Sequence, residues 1–392
     1  MDLPPPLRAR RALALVLAAA ALTGLPTSAA GASGTPSPDE APGFRHDALA
    51  GQGATGGPQA PQAPATRPRR AVSAWLPYWG DTEAAYQDAR RHAAQLHTVS
   101  PFWYETTSDT AIKRQKGAGA RRIVDGLRAV GIKVVPTVTE TLNAPAMAAL
   151  LQDPARRRAH VAALVRLATG GGYDGLDLDY ETMANGGDAT QRRRVRDGYA
   201  ALVADLCARL RTRGKQCVIT ATARADDTGV HDYARLGRAA DRLRLMGYDL
   251  HWSGGAPGPL SSPSWYGKVL RHAVATVPVR KIEMAFPGYG WDWTKGAKSA
   301  AKHLTWHQAE ALRKRVKAPY GLDPASRTPH FTYREGTTTH EVWYQDARGV
   351  AAHIPVLRKY RVRATGLWAL GFEDPAFWRT IQRAGVVGRQ QP

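Results

Sequence analysis

The chain has 392 residues, long enough for a large core and more than one typical domain. Its 54 lysines and arginines against 33 acids give a net charge of +21, which suits attraction to a polyanion. No nucleic-acid-binding motif accompanies that charge, and no segment reaches the ~20 apolar residues of a membrane span, so neither nucleic acid nor bilayer is an expected partner.

At the start, Arg8, Arg10 and Arg11 precede an Ala/Leu/Val run from Ala12 to Leu22, then Pro26 and small residues through Ala32. A basic segment, a short apolar stretch and a small-residue end describe a secretory signal peptide over 1–30, with cleavage near Ala30 or Ala32. Residues 31–70 are Gly, Ala, Pro, Ser, Gln and Thr without a hydrophobic period, which reads as a disordered linker. Two roles stand for it: a spacer from a surface, or a stretch that only clears the export machinery. The expectation is a monomer, secreted to the extracellular space or the cell wall, where the available polyanions are wall polymers.

From 71 to 386 strand-like and helix-like segments alternate. Short apolar strands fall at Val72–Trp79, Thr98–Tyr104, Lys133–Thr139, Gly175–Glu181, Cys217–Ala223, Leu243–Asp249, Ile282–Gly288 and Gly366–Leu370. Between several of them lie amphipathic helices. Val195, Tyr199, Leu202, Leu206 and Leu210 keep the three-four spacing of one buried face, with Gly214 as the stop. Eight strands alternating with helices predict an α/β fold, a (β/α)8 TIM barrel. The long interval between strands seven and eight, about 295–362, reads as a small α+β insertion, with a helix over His303–Val316 and strands at Phe331–Arg334 and Glu341–Tyr344. Two cysteines, Cys207 and Cys217, flank a helix-to-strand junction; a disulfide and two separate buried thiols both fit.

The most informative stretch is Tyr173-Asp174-Gly175-Leu176-Asp177-Leu178-Asp179-Tyr180-Glu181. Side chains alternate along a strand, so Asp177, Asp179 and Glu181 share one face while Leu176, Leu178 and Tyr180 share the other. Carboxylates ~6.6 Å apart in a poorly solvated place cannot all stay charged, so some hold protons near neutral pH. That is the property of a general acid. A solvated strand face and a divalent-cation site are the two alternatives; the spacing does not fit an EF-hand loop.

A barrel places its site at the C-terminal ends of its strands. Glu181 and the Tyr248-Asp249 pair close two strands, and Tyr78, Trp103, Trp291, Trp293 and Trp368 stand at the ends of others. Aromatic faces there suit sugar rings, so these five are candidate substrate-binding residues.

The pattern Asp174-x-x-Asp177-x-Asp179-x-Glu181 resembles the catalytic signature of glycoside hydrolase family 18, with Tyr180 where the family usually has Trp. Met246-Gly247-Tyr248-Asp249, His340 to Tyr344 and Leu367 to Gly371 also resemble that family's blocks, so the resemblance covers Val72 to about Trp378. It implies chitinase-like or N-acetylglucosaminidase activity on chitin or peptidoglycan, with the substrate's own 2-acetamido oxygen as nucleophile and no metal or other cofactor. In that scheme Glu181 is the acid and then the base, and Asp179 binds the acetamido N–H. Asp177 shares a proton with Asp179. Tyr248 positions the acetamido carbonyl, Asp249 contacts the sugar, Trp368 forms the floor, and Asp174 is structural. A non-catalytic lectin on the same barrel is the other functional class.

Overall fold

The computed structural model describes residues 72–183 and 187–385; the expected signal peptide and linker lie outside the described residues. The first strands are β1 (Val72–Leu76) and β2 (Leu96–Thr106), the latter carrying a short antiparallel companion, β3 (Ile112–Arg114). The third barrel strand is split into β4 (Lys133–Val134) and β5 (Thr137–Glu140) by Pro136, which has no N–H for the ladder. Then come β6 (Gly175–Leu178), β7 (Gln216–Thr222), β8 (Arg242–Met246) and β9 (Ile282–Pro287). Four strands of an antiparallel sheet follow: β10 (Tyr289–Thr294), β11 (Lys302–Thr305), β12 (His330–Glu335) and β13 (Thr338–Tyr344). The last strand is β14 (Ala364–Trp368). Neighbouring barrel strands are parallel, and β1 pairs with both β2 and β14, so the sheet closes into the expected (β/α)8 barrel.

The connecting helices are α1 (Thr82–Arg91), α2 (Arg121–Ala129), α3 (Ala144–Gln152), α4 (Pro154–Gly170), α5 (Ala189–Arg211), α6 (Tyr233–Ala239) and α7 (Pro263–Thr276). Helix α8 (Trp306–Arg315) belongs to the insertion, and α9 (Ala347–Lys359) and α10 (Phe377–Arg383) complete the set among the described residues. Their starts are written in the sequence. Asp81, Asn143, Asp153, Asp188, Asp232, Ser262, Thr305 and Asp346 each accept a backbone N–H of the first turn, worth ~1 kcal/mol apiece. Helix α5 buries the apolar face the spacing predicts. Near its end Cys207 is disulfide-bonded to Cys217 at the start of β7, with Cα atoms 5.2 Å apart, which settles the open choice for the cysteines. No described helix is long and apolar enough to cross a membrane.

Both faces of the barrel strands are buried, for different purposes. Outward residues such as Leu176, Leu178, Ile219, Leu243, Leu245 and Met284 pack with the apolar faces of the helices. The inward parity is polar: Ser73, Thr137, Asp177, Thr220, Arg244 and Glu283 are all buried inside the barrel. Gly175 makes the tight β6–β7 approach possible, since a Cβ there would lie 2.3 Å from the Gln216 carbonyl oxygen.

The insertion differs in detail from its expected bounds of 295–362. Its sheet begins at Tyr289, one residue after β9, because Gly288 turns the chain directly out of the barrel strand. It ends at Tyr344, and α9 returns to the barrel wall against α7 and α10. The helix expected from His303 starts at Trp306; Lys302–Thr305 pairs with β10 instead, and Thr305 caps the helix with a reciprocal Gln308 bond.

Candidate active site

Strand β6 carries Asp177 on its inward face and ends at Leu178, short of the expected Glu181; Asp179 and Glu181 follow in the segment that continues it. Asp177 is fully buried, and its oxygens accept from Trp75 Nε1 (3.0 Å), Thr137 Oγ1 (2.9 Å), Thr220 Oγ1 (2.7 Å) and an Arg244 guanidinium nitrogen (3.0 Å). Arg244 also pairs with Glu283, which takes the Ser73 hydroxyl, and it donates to Ser100 Oγ at 3.1 Å. Its guanidinium lies 4.5 Å from the Trp75 ring centroid. Burial pushes the Asp177 carboxyl up, while Arg244 and the two threonines pull it back. Four donors surround Asp177, and its charge bears on Asp179 without a direct hydrogen bond between the two carboxyls.

Asp179, one turn of the alternation further, continues the ladder through its N–H to the Val138 carbonyl (3.0 Å). Its side chain is buried, and Oδ1 has no hydrogen-bond partner. Burial pushes this carboxyl well above its usual range, helped by the charges of Glu181, Asp177 and Glu140. Glu181 is half-buried at the mouth of the barrel, pushed up to about 8 by burial and then by the nearby Glu140 and Asp249 carboxylates. A carboxyl that keeps its proton near neutrality and stays partly exposed can protonate a leaving-group oxygen. The unpartnered Asp179 oxygen beside it can accept an N–H from a ligand.

Asp174 is out of phase with this face. Its Oδ2 accepts the Val134 N–H (2.8 Å) and an Arg128 guanidinium N–H (3.1 Å), tying β4 to the start of β6, a structural arrangement.

Aromatic side chains wall the mouth. Trp368, half-buried at the end of β14, has its ring centroid 5.1 Å from Phe102, 5.6 Å from Trp75 and 6.1 Å from Trp79, and Tyr78 packs edge-on against Trp79 at 5.0 Å. The Trp368–Ala369 peptide is cis. Tyr248 and Asp249 follow β8; Asp249 adopts φ 59°, and its Oδ1 accepts from the Tyr289 hydroxyl and from Trp291 Nε1 (3.1 Å). Trp293 Nε1 donates to the Gly255 carbonyl (3.1 Å). One packed cluster thus gathers Tyr78, Tyr248, Trp291, Trp293 and Trp368. Trp291 and Trp293 stand on β10 of the insertion rather than at the end of a barrel strand.

Trp103 is the exception. It is buried in the core between barrel and helices, 6.3 Å from the Tyr173 ring, so it does not line the cleft. Alternation puts its neighbour Phe102 on the same inward face as Ser100, and Phe102 joins the aromatic cluster instead.

Four contributors escape the sequence reading: Phe102, Glu140, Arg244 and Glu283. Arg244 sits in Arg-Leu-Arg-Leu-Met, which by itself reads as a strand with one wet face. The usable signal is the closed barrel, where the alternate face is interior and a charge on it needs a partner. Glu140 had a fainter sign, a lone acid ending an apolar strand at the same rim as Glu181. Among the described residues no group of three His, Cys, Asp or Glu side chains is arranged to hold a metal ion.

Comparison with known proteins agrees with this geometry. Residues 87–373 match the family Glycosyl hydrolases family 18. An uncharacterized glycosylase, YvbX, of Bacillus subtilis is 26% identical over 227 residues, covering 56% of this chain and 64% of that protein. A cortical fragment-lytic enzyme of Bacillus anthracis is 32% identical over 155 residues, covering 38% and 36% of the two chains. The chain therefore spans roughly one to two thirds of the length of these curated relatives. The crystal structure of a chitinase from Chromobacterium violaceum superposes with a TM-score of 0.72 at 26% identity, covering 82% of this chain and all (100%) of that one.

Proposed function

Because this chain belongs to glycosyl hydrolases family 18, we propose that it is a secreted glycosidase cleaving β-1,4-linked N-acetylglucosamine polymers, chitin or the glycan strands of peptidoglycan. The reaction is retaining and substrate-assisted. The 2-acetamido oxygen attacks the anomeric carbon as Glu181 protonates the departing glycosidic oxygen; Glu181 then deprotonates the water that opens the cyclic intermediate. Asp179 receives the acetamido N–H on Oδ1, Tyr248 orients the acetamido carbonyl, and Trp368 supports the sugar face. Asp177 acts from below, through its bonds to Trp75 and Arg244, on the charge balance that Asp179 feels. The chain works outside the cell or in the wall, where a net charge of +21 favours anionic wall polymers. That charge and the cortical fragment-lytic relative tilt the choice toward peptidoglycan.

One observation carries the reading: Glu181, pushed up to about 8, stands beside a buried Asp179 with an unpartnered oxygen at the strand ends, the end of the barrel that also carries Trp368. The test is mass-spectrometric product analysis of the wild type and Glu181→Gln on N-acetylglucosamine oligomers and purified peptidoglycan. Wild-type products, with turnover lower by several orders of magnitude in a folded Glu181→Gln variant, are expected. Near-wild-type hydrolysis by that variant would refute the assignment. Binding without products from either protein would make the chain a lectin.

A further inference from the structure

Glu140 ends β5 at the same rim as the acids of β6, yet its carboxylate is almost fully buried and turned toward the neighbouring segment. Oε1 accepts the Thr182 N–H (2.6 Å) and the Thr182 hydroxyl (2.7 Å), and Oε2 accepts the Glu181 N–H (3.3 Å). Strand β6 ends at Leu178 and its last ladder bond is the Asp179 N–H to Val138, so no ladder bond fixes Glu181 and Thr182. Three donors from two consecutive residues converge on this single side chain. We propose that Glu140 is a positioning residue for Glu181, clamping the Glu181–Thr182 backbone and setting a second negative charge against the acid. The inference rests on Glu181 being that acid.

The electrostatics follow from the surroundings. Facing Glu181 are Asp179 on its own segment, Glu140 from β5, Tyr248 and Asp249 after β8, and Tyr289 from β10. Arg244 lies a layer below, engaged by Asp177 and Glu283. Burial pushes Glu140 up while its bonds to Thr182 and Glu181 pull it back, and its charge adds to the burial that raises Glu181. The three donors that converge on Glu140 favour its ionised form, and that charge resists the ionisation of Glu181. An acid so arranged keeps its proton further into the alkaline range than burial alone provides.

Two variants separate the clamp from the charge. Glu140→Gln keeps the length and removes the charge; Glu140→Asp keeps the charge and is too short to hold both Thr182 donors. The Glu181 carboxyl is followed by 13C NMR in protein labelled at glutamate Cδ, its signal identified by its loss in Glu181→Gln, and kcat and kcat/KM are measured against pH. In Glu140→Gln the Glu181 titration and the alkaline limb of kcat/KM are expected to move down by about one pH unit. In Glu140→Asp the limb stays near its wild-type position while kcat falls about tenfold. A Glu181 titration in Glu140→Gln within about 0.2 unit of wild type, where one unit is the expected effect, overturns the inference. If Glu140→Gln does not fold, an unchanged kcat in Glu140→Asp overturns it. If the wild type shows no turnover, the glycosidase reading fails, whereas the NMR titration still decides whether Glu140 acts on Glu181.

Discussion

Replacing Arg244 by Met, of similar length but uncharged, leaves Asp177 and Glu283 facing each other inside the barrel without their shared cation. Both carboxylates are buried, at 0% and 4% exposure, so solvent does little to screen the loss. Removing one partner of a buried ion pair costs about 3–5 kcal/mol, far more than an exposed pair would. For a domain of roughly three hundred residues the unfolding entropy is about 0.6 kcal/mol/K, so Tm falls by about 5–8 °C. The loss also depends on pH. Asp177 already has its carboxyl raised by burial, so the stability it withholds is absent below its unfolded value and fully withheld once the pH passes its folded value. Without Arg244 that folded value rises further. The deficit in Tm, followed by circular dichroism, is therefore expected to be larger at pH 8 than at pH 5, and Arg244→Met/Asp177→Asn should recover part of it. A deficit worth under ~1 kcal/mol, the scale of an exposed pair, or one equal at both pH values, would refute the reasoning.

Other outcomes follow from the same structure. The kcat/KM of the wild type is expected to fall above about pH 8, as Glu181 gives up its proton, in a pH-rate profile on a soluble N-acetylglucosamine oligomer. Glu373, after β14, is pushed up to about 8 by burial and by Asp88 of α1, and its Oε1 accepts Trp378 Nε1 at 2.9 Å. Because its folded value lies above its unfolded one, Glu373 withholds stability progressively as the pH rises to about 8. Glu373→Gln should therefore gain Tm relative to wild type between pH 5 and pH 9, with little difference at the acidic end. The disulfide joins residues 10 apart; converting both cysteines to alanine should cost about 2–3 kcal/mol, or roughly 4 °C in Tm.

What the sequence tells and what it withholds follow from burial. The acids of β6 are legible because their alternation with Leu176, Leu178 and Tyr180 survives folding unchanged. The helices are legible through their caps and apolar stripes. Trp103 misleads because β2 is buried on both faces, so aromatic character does not say which face is the inner one; alternation with inward Ser100 and Phe102 puts Trp103 on the outer face. Arg244 and Glu283 are hidden for a related reason. Their 39-residue separation becomes a contact only when β8 and β9 pair, and only closure makes their side of the sheet an interior. Glu140 reaches the acid across two paired strands, a relation that spacing along the chain does not encode.

The insertion has a mechanical consequence. Gly288 alone separates β9 from β10, and Gln345 and Asp346 alone separate β13 from α9. The insertion sheet bearing the buried Trp291 and Trp293 is thus spliced into the barrel at both ends with no slack for a hinge. A sheet so fastened is expected to keep its place against the barrel rather than to open and close over it like a flap.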